Sequence, residues 1–155
     1  MELVYKGWPL ALLIGVFLVI KVRSWRRQEK MMAAGLYEVD RMSKREFRDF
    51  CLLLLRRLGY KVKSSPAKKQ WVHFVVEKEG RHIAVLTKHY RRNVSSRLVE
   101  KIARSAPLYG CQEALLITNR DYTLEAKELA NSLGVDLWNR DRIIDLLLAL
   151  RRQGK

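Results

Sequence analysis

Cysteine is scarce in this chain, and negative charge is scarcer than positive. The 155 residues contain two cysteines, Cys51 and Cys111. Neither has a CxxC partner, which argues against a disulfide framework. Cys51 lies inside the apolar run Phe50–Leu55, so both thiols read as reduced core residues in a reducing compartment. Repeats and low-complexity tracts are missing too. Asp and Glu number 16 against 31 Lys and Arg, a formal charge of +15. That excess goes well beyond what solubility needs, and its field attracts polyanions, either nucleic acid or an anionic lipid surface. Hydrophobic residues at 48% and charged residues at 30% form a globular balance. Once the hydrophobic start is set aside, one domain with a single core remains.

From Gly7 to Ile20 no residue is charged. A helix of that length covers about 21 Å, short of the roughly 30 Å hydrocarbon core of a bilayer. Snorkelling of Lys6 and Lys21 extends the usable stretch to Leu3–Val22, and Tyr5, Trp8 and Trp25 stand where interfacial aromatics belong. Lys21, Arg23, Arg26, Arg27 and Lys30 follow the run and only Lys6 precedes it, so the positive-inside rule puts the C-terminal domain in the cytoplasm. The segment between Lys21 and Arg27 offers no small-residue cleavage site, and the run has no polar face for a monotopic helix. The expectation is a single-pass membrane protein. It has a transmembrane anchor over 3–22, a basic juxtamembrane linker over 23–42 with a break near Gly35, and one domain over 43–151.

That domain opens with Ser43-Lys-Arg-Glu46, a capping box. Phe47, Phe50, Cys51, Leu54, Leu55 and Leu58 follow at helical spacing up to Gly59. Strands are expected at 60–63, 70–77 and 81–88, the last two joined by a turn at Lys78-Glu79-Gly80. A helix over 95–108, a strand over 114–118, a helix over 123–133, a strand over 135–138 and a helix over 141–151 complete the chain. The order is α-β-β-β-α-β-α-β-α, an α/β fold with a mixed sheet flanked by helices.

Four stretches resemble the catalytic domain of Mrr-type (type IV) restriction endonucleases. Phe47–Val62 is similar to its opening helix and Leu-Gly-Tyr-x-Val exit. Ala84–Tyr90 stands where the family has a Gln-x-Lys strand, and Val94–Ala106 is similar to the helix after it. Ala114–Ala126, continued by Val135–Trp138, carries the family's Ile-Thr-Asn…Thr…Ala string. The resemblance covers about residues 43–148 and implies the restriction-endonuclease-like fold, with metal-assisted phosphodiester hydrolysis as its chemistry. An Asp on the second strand and a Glu or Gln two residues before a Lys on the third would gather around a divalent ion. Residues i and i+2 of a strand share a face, so the last two aim at one phosphate.

The motif is broken here. Its Asp position falls on His73, its Glu/Gln position on Leu86, and only Lys88 matches; the acidic position of the first helix aligns with Arg48. Leucine cannot ligate, and a lone histidine is a poor partner for Mg²⁺. The catalytic candidates are therefore Lys88 and, weakly, His73, whose side chains are expected close together. No metal ligands and no cofactor are assigned, with Mg²⁺ expected only if the protein cleaves. The basic cluster Lys88, Arg91, Arg92, Arg97, Lys101 and Arg104, extended by Lys61, Lys63, Lys68 and Lys69, would hold phosphates without reading sequence. The implied function is a membrane-anchored domain that binds DNA with weak or no cleavage. One alternative is an active nuclease using the displaced carboxylates Asp49, Glu46 or Glu77. Another is a non-catalytic interaction module that meets the lipid bilayer through its basic face.

Overall fold

Charged residues with straight side chains extend helices as readily as leucine does, and the N-terminal segment follows that rule. In a computed structural model, which describes residues 8–33, 39–64 and 71–154, the chain separates into two units, 1–34 and 35–155. The first holds helix α1, Trp8–Ala33. It runs on into the expected linker: residues 23–33 are helical, because Arg, Gln, Glu, Lys and Met contain no helix stop before Gly35. Among the described residues no helix is long and apolar enough to cross a membrane. The spanning anchor expected over 3–22 is therefore not seen, and residues 3–7 of that stretch lie outside the described residues. The apolar part of α1 stands exposed, with Leu12, Ile14, Phe17 and Ile20 each showing more than half of their surface and Leu13 showing 67%.

The second unit begins with α2, Lys44–Arg57. Its capping box forms as expected: the Ser43 hydroxyl accepts the Glu46 N–H at 3.2 Å, and the Glu46 carboxylate accepts the Ser43 N–H at 2.8 Å. The apolar stripe of α2 buries Phe47, Phe50, Cys51 and Leu54 completely. Strands β1 (Lys61–Ser64), β2 (Phe74–Lys78) and β3 (Arg81–Lys88) follow. Glu79 and Gly80, with φ of 52° and 77°, join β2 to β3 through a two-residue turn of the kind whose twist matches the strands. Helix α3 (Ser96–Ser105) passes into one 3-10 turn, Ala106–Tyr109. Pro107 lacks an N–H and ends the helix earlier than the expected Leu108. Strand β4 (Glu113–Thr118), helix α4 (Leu124–Leu133), strand β5 (Val135–Trp138) and helix α5 (Arg140–Gln153) complete the order expected from the sequence.

Among the described residues five strands form one mixed sheet in the order β1-β2-β3-β4-β5. The first three are antiparallel neighbours, and β3, β4 and β5 are parallel. One face of the sheet presents Ala84, Leu86, Ala114, Leu116 and Val135 to Val99 and Ile102 of α3 and Ala126 and Ala130 of α4. Strand alternation sends Val85, Thr87, Leu115 and Ile117 to the other face, where α2 packs on β3. Both cysteines are buried and free. Two irregularities interrupt the regular pairing. The register of β1 on β2 shifts between Val62 and Ser64. Strand β2 starts at Phe74, not Gln70, although the His73 N–H still donates to the Val85 carbonyl at 2.8 Å.

Candidate nucleic-acid interface and the pocket beside it

Lys88 is the last residue of β3, in register with Thr118 at the end of β4, and it stands between two depressions. The first, about 610 Å³, is lined by Lys88 with Trp71, Arg91, Arg92, Arg97 and Lys101 among others. Arg97 and Lys101 lie one turn apart on α3 and share a face. The Lys101 ammonium sits 3.6 Å from the centroid of the Trp71 ring and that of Lys88 5.3 Å, cation–π contacts that hold both cations at the rim. Burial, then the nearby charges of Lys44 and Lys101, push the Lys88 pKa below its ordinary value.

The loop that carries Arg91 and Arg92 is fixed at its root. Asn119 is fully buried; its side-chain oxygen accepts the Tyr90 N–H at 2.8 Å and its amide donates to the Tyr90 carbonyl at 3.0 Å. The Arg120 Nε–H donates to the same carbonyl at 3.2 Å. Four residues on, Val94 bridges to Tyr122, whose buried hydroxyl reaches the Leu116 carbonyl at 2.6 Å.

Five of the six expected phosphate-binding residues thus line one depression. Arg104 does not: it pairs with Glu100 at 2.6 Å, one turn back on α3, and lines neither depression. Of the expected extension, Lys61 and Lys63 line neither depression. Lys63 of β1 pairs with Glu77 of β2 at 2.5 Å, Lys61 is exposed on β1, and Lys68 and Lys69 lie outside the described residues.

The second depression, about 470 Å³, brings Lys88 and His73 together with Lys44, Arg45, Arg48 and Asp49 of α2. His73 Nδ1 accepts the Thr87 backbone N–H at 3.3 Å and lies 2.8 Å from the Thr87 hydroxyl. An accepting Nδ1 carries no proton, so the neutral ring holds its proton on Nε2. Burial, then the charges of Arg48 and Lys88, lower the His73 pKa to about 4, which keeps it neutral at physiological pH. Arg48 lies over the Phe74 ring, 5.6 Å from its centroid.

The donor set does not fit a divalent metal. Mg²⁺ requires oxygen ligands in near-octahedral order. Leu86 is fully buried in the core under α3, and Arg48 occupies the helix position where an acid was expected. Of the displaced carboxylates, Asp49 alone lines the pocket. Glu46 is held in its capping box, and Glu77 is bonded to Lys63. Of the other two histidines, His89 lines this depression and His82 does not. His82 lies 3.8 Å from Glu77, and His89 bonds the Val39 carbonyl at 2.9 Å and packs on Phe47. Among the described residues no three His, Cys, Asp or Glu side chains converge on a metal position.

Several contributors were not singled out from sequence. Trp71 carried a signal, an aromatic just after Lys68 and Lys69 in a basic stretch. Thr87, Lys44 and Arg45 carried none, since each looks like an ordinary strand or helix residue. Asn119 was read as a strand end and is a buried clamp.

The Mrr_cat family, described as restriction endonuclease, matches residues 39–147. Among solved structures, a protein of unknown function, AF1548, is similar at 18% identity and a TM-score of 0.57, over 68% of this chain and 65% of that one. The DNA modification-dependent restriction endonuclease AspBHI is similar at 14% identity and 0.54, over 83% of this chain and 36% of its own. The restriction endonuclease MspJI, in complex with a 27-mer oligonucleotide, is similar at 14% and 0.51, over 80% and 33%. The chain thus spans less than two thirds of each, and at these identities the likeness is one of fold. No curated protein matches the sequence.

Proposed function

Because the chain belongs to the Mrr catalytic-domain family of restriction endonucleases, we propose that it grips duplex DNA through the first depression and does not cut it by the family's metal-assisted route. The observation that carries this reading is the convergence of Lys88, Arg91, Arg92, Arg97 and Lys101 in one depression, beside a pocket with one carboxylate where metal chemistry needs several. Cations placed this way bind phosphates whatever the base sequence. Lys88 is the motif residue that remains and would meet a phosphate at the junction of the two depressions; His73 assists only as a neutral neighbour.

Titration of the full chain with duplex DNA at several salt concentrations, with Mg²⁺ or Mn²⁺ present, tests this directly. The expected result is binding that weakens steeply with salt while the DNA stays intact on a gel, with Lys88→Ala weakening binding several-fold. Cut DNA whose appearance depends on Lys88 would establish a nuclease that uses Asp49 and refute the metal reading. Failure to bind DNA at any salt would give the basic face to an anionic membrane or a protein.

A second reading concerns α1. Its exposed run from Leu12 to Val22 is more apolar surface than a water-soluble helix leaves uncovered, and basic residues follow it directly. We propose that this helix attaches the chain to a membrane, with the DNA-binding unit on the cytoplasmic side. The full chain is expected to float with anionic vesicles and to stay bound after a high-salt wash, because apolar burial is insensitive to screening. Release by salt would leave an electrostatic contact only.

A further inference from the structure

The two depressions share Lys88 but differ in what surrounds it. In the second, Lys44, Arg45, Arg48 and Lys88 face a single carboxylate, Asp49. Elsewhere on the domain five cations, Lys63, Arg81, Arg104, Lys127 and Arg140, each pair with an acid within 3.0 Å. Among the described residues no ion pair engages Lys44, Arg45, Arg48 or Lys88. The floor of the pocket adds hydrogen-bonding groups without adding negative charge, namely the buried Thr87 and the neutral His73. Like charges held together in a partly buried site repel one another, and the arrangement lacks a counter-anion.

We propose that the second depression is a phosphomonoester pocket, in which Lys44, Arg48 and Lys88 hold a terminal phosphate dianion. A terminal phosphate carries close to two charges at neutral pH, whereas an internal phosphodiester carries one, and a cluster of four cations against one acid favours the former. The dianion has two possible sources, the phosphorylated end of a nucleic-acid strand or a free small phosphate. Lys88 connects this pocket to the face that receives the duplex, so a strand lying there has its end within reach. The pocket rests on its own cations and survives even if duplex binding fails.

The test compares short duplexes of one sequence with phosphorylated or hydroxyl ends, a covalently closed circle, and inorganic pyrophosphate, all with the full chain. The phosphorylated duplex is expected to bind about tenfold more tightly than its hydroxyl twin. Lys44→Ala/Arg48→Ala should close that gap and leave affinity for the circle within about twofold. If the double variant fails to fold, Lys44→Glu, at an exposed first-turn position, replaces it. Pyrophosphate binding seen by calorimetry and lost in the variant, without an end preference, also supports the pocket and assigns it to a free phosphate. Equal affinity for both duplex ends together with no heat from pyrophosphate overturns the inference. If the circle still binds in that case, the duplex reading stands alone.

Discussion

Reversing three charges on the basic face, Arg91→Glu/Arg92→Glu/Arg97→Glu, is expected to lower duplex affinity by on the order of a thousandfold at physiological salt. Each cation on phosphate releases condensed counterions, so losing three contacts should also flatten the salt dependence by about 3 in log–log slope. Reversal adds repulsion to that loss. The fold should tolerate the change: Arg91, Arg92 and Arg97 make no ion pairs among the described residues, and the first two sit on a loop whose root is held by Asn119. A matched control, Arg56→Glu/Arg57→Glu/Lys61→Glu, alters net charge equally at exposed positions that line neither depression. It should lower affinity far less. Equal losses in both triple variants would mean that DNA responds to overall charge and that no face is specialised.

The second large effect is on stability in acid. His73 titrates near 4 in the folded chain and near 6.5 when unfolded. Between those values the unfolded state holds the extra proton, so stability rises with pH through this window. The contribution is complete above about pH 6.5, declines as pH falls, and is exhausted near 4. Arg48 from α2 and Lys88 from β3 face the ring, Thr87 bonds it, and Asp49 is the one acid in the pocket. After allowance for partial exposure of the ring, the expected loss is about 2 kcal/mol between pH 7 and 4.5. Comparing urea unfolding of the wild type and His73→Gln over that range isolates it, because acids such as Asp121, where burial raises the pKa but hydrogen bonds from Asn139, Tyr122 and Lys127 together outweigh it and bring it low, are common to both. Parallel curves for the two proteins would refute the assignment.

Much of the architecture could be read from residue order because local and global preferences agree. The capping box at Ser43, the Glu79-Gly80 turn and the compact strand Val135–Trp138 each have a short-range physical cause and appear where expected. Boundaries failed where the cause was long-range or weak. Helix α1 runs to Ala33 because nothing in its basic half opposes a helix. Strand β2 begins late, and that lapse in the ladder places His73 against Thr87, which simple alternation would not give. The site shows the same division. Lys88 and the cations of one helix face follow from spacing, and Arg97, Lys101 and Arg104 form a plausible stripe. Only the structure shows Glu100 drawing Arg104 away. That Arg48 and Lys44 complete a pocket with Lys88 depends on how α2 lies over β3, a packing angle that no local pattern encodes.

Strand β1 has a consequence of a different kind. Among the described residues it is the outermost strand on its side of the sheet, four residues long, with Lys61 and Lys63 on it and a shifted register between Val62 and Ser64. A row of unpaired peptide groups on a long flat edge would invite a neighbouring molecule to add a strand and propagate a stack. Brevity, charge and a broken register deny it that template. The sheet can therefore remain open at this edge, and the chain can be concentrated in a small volume without its copies zipping together there.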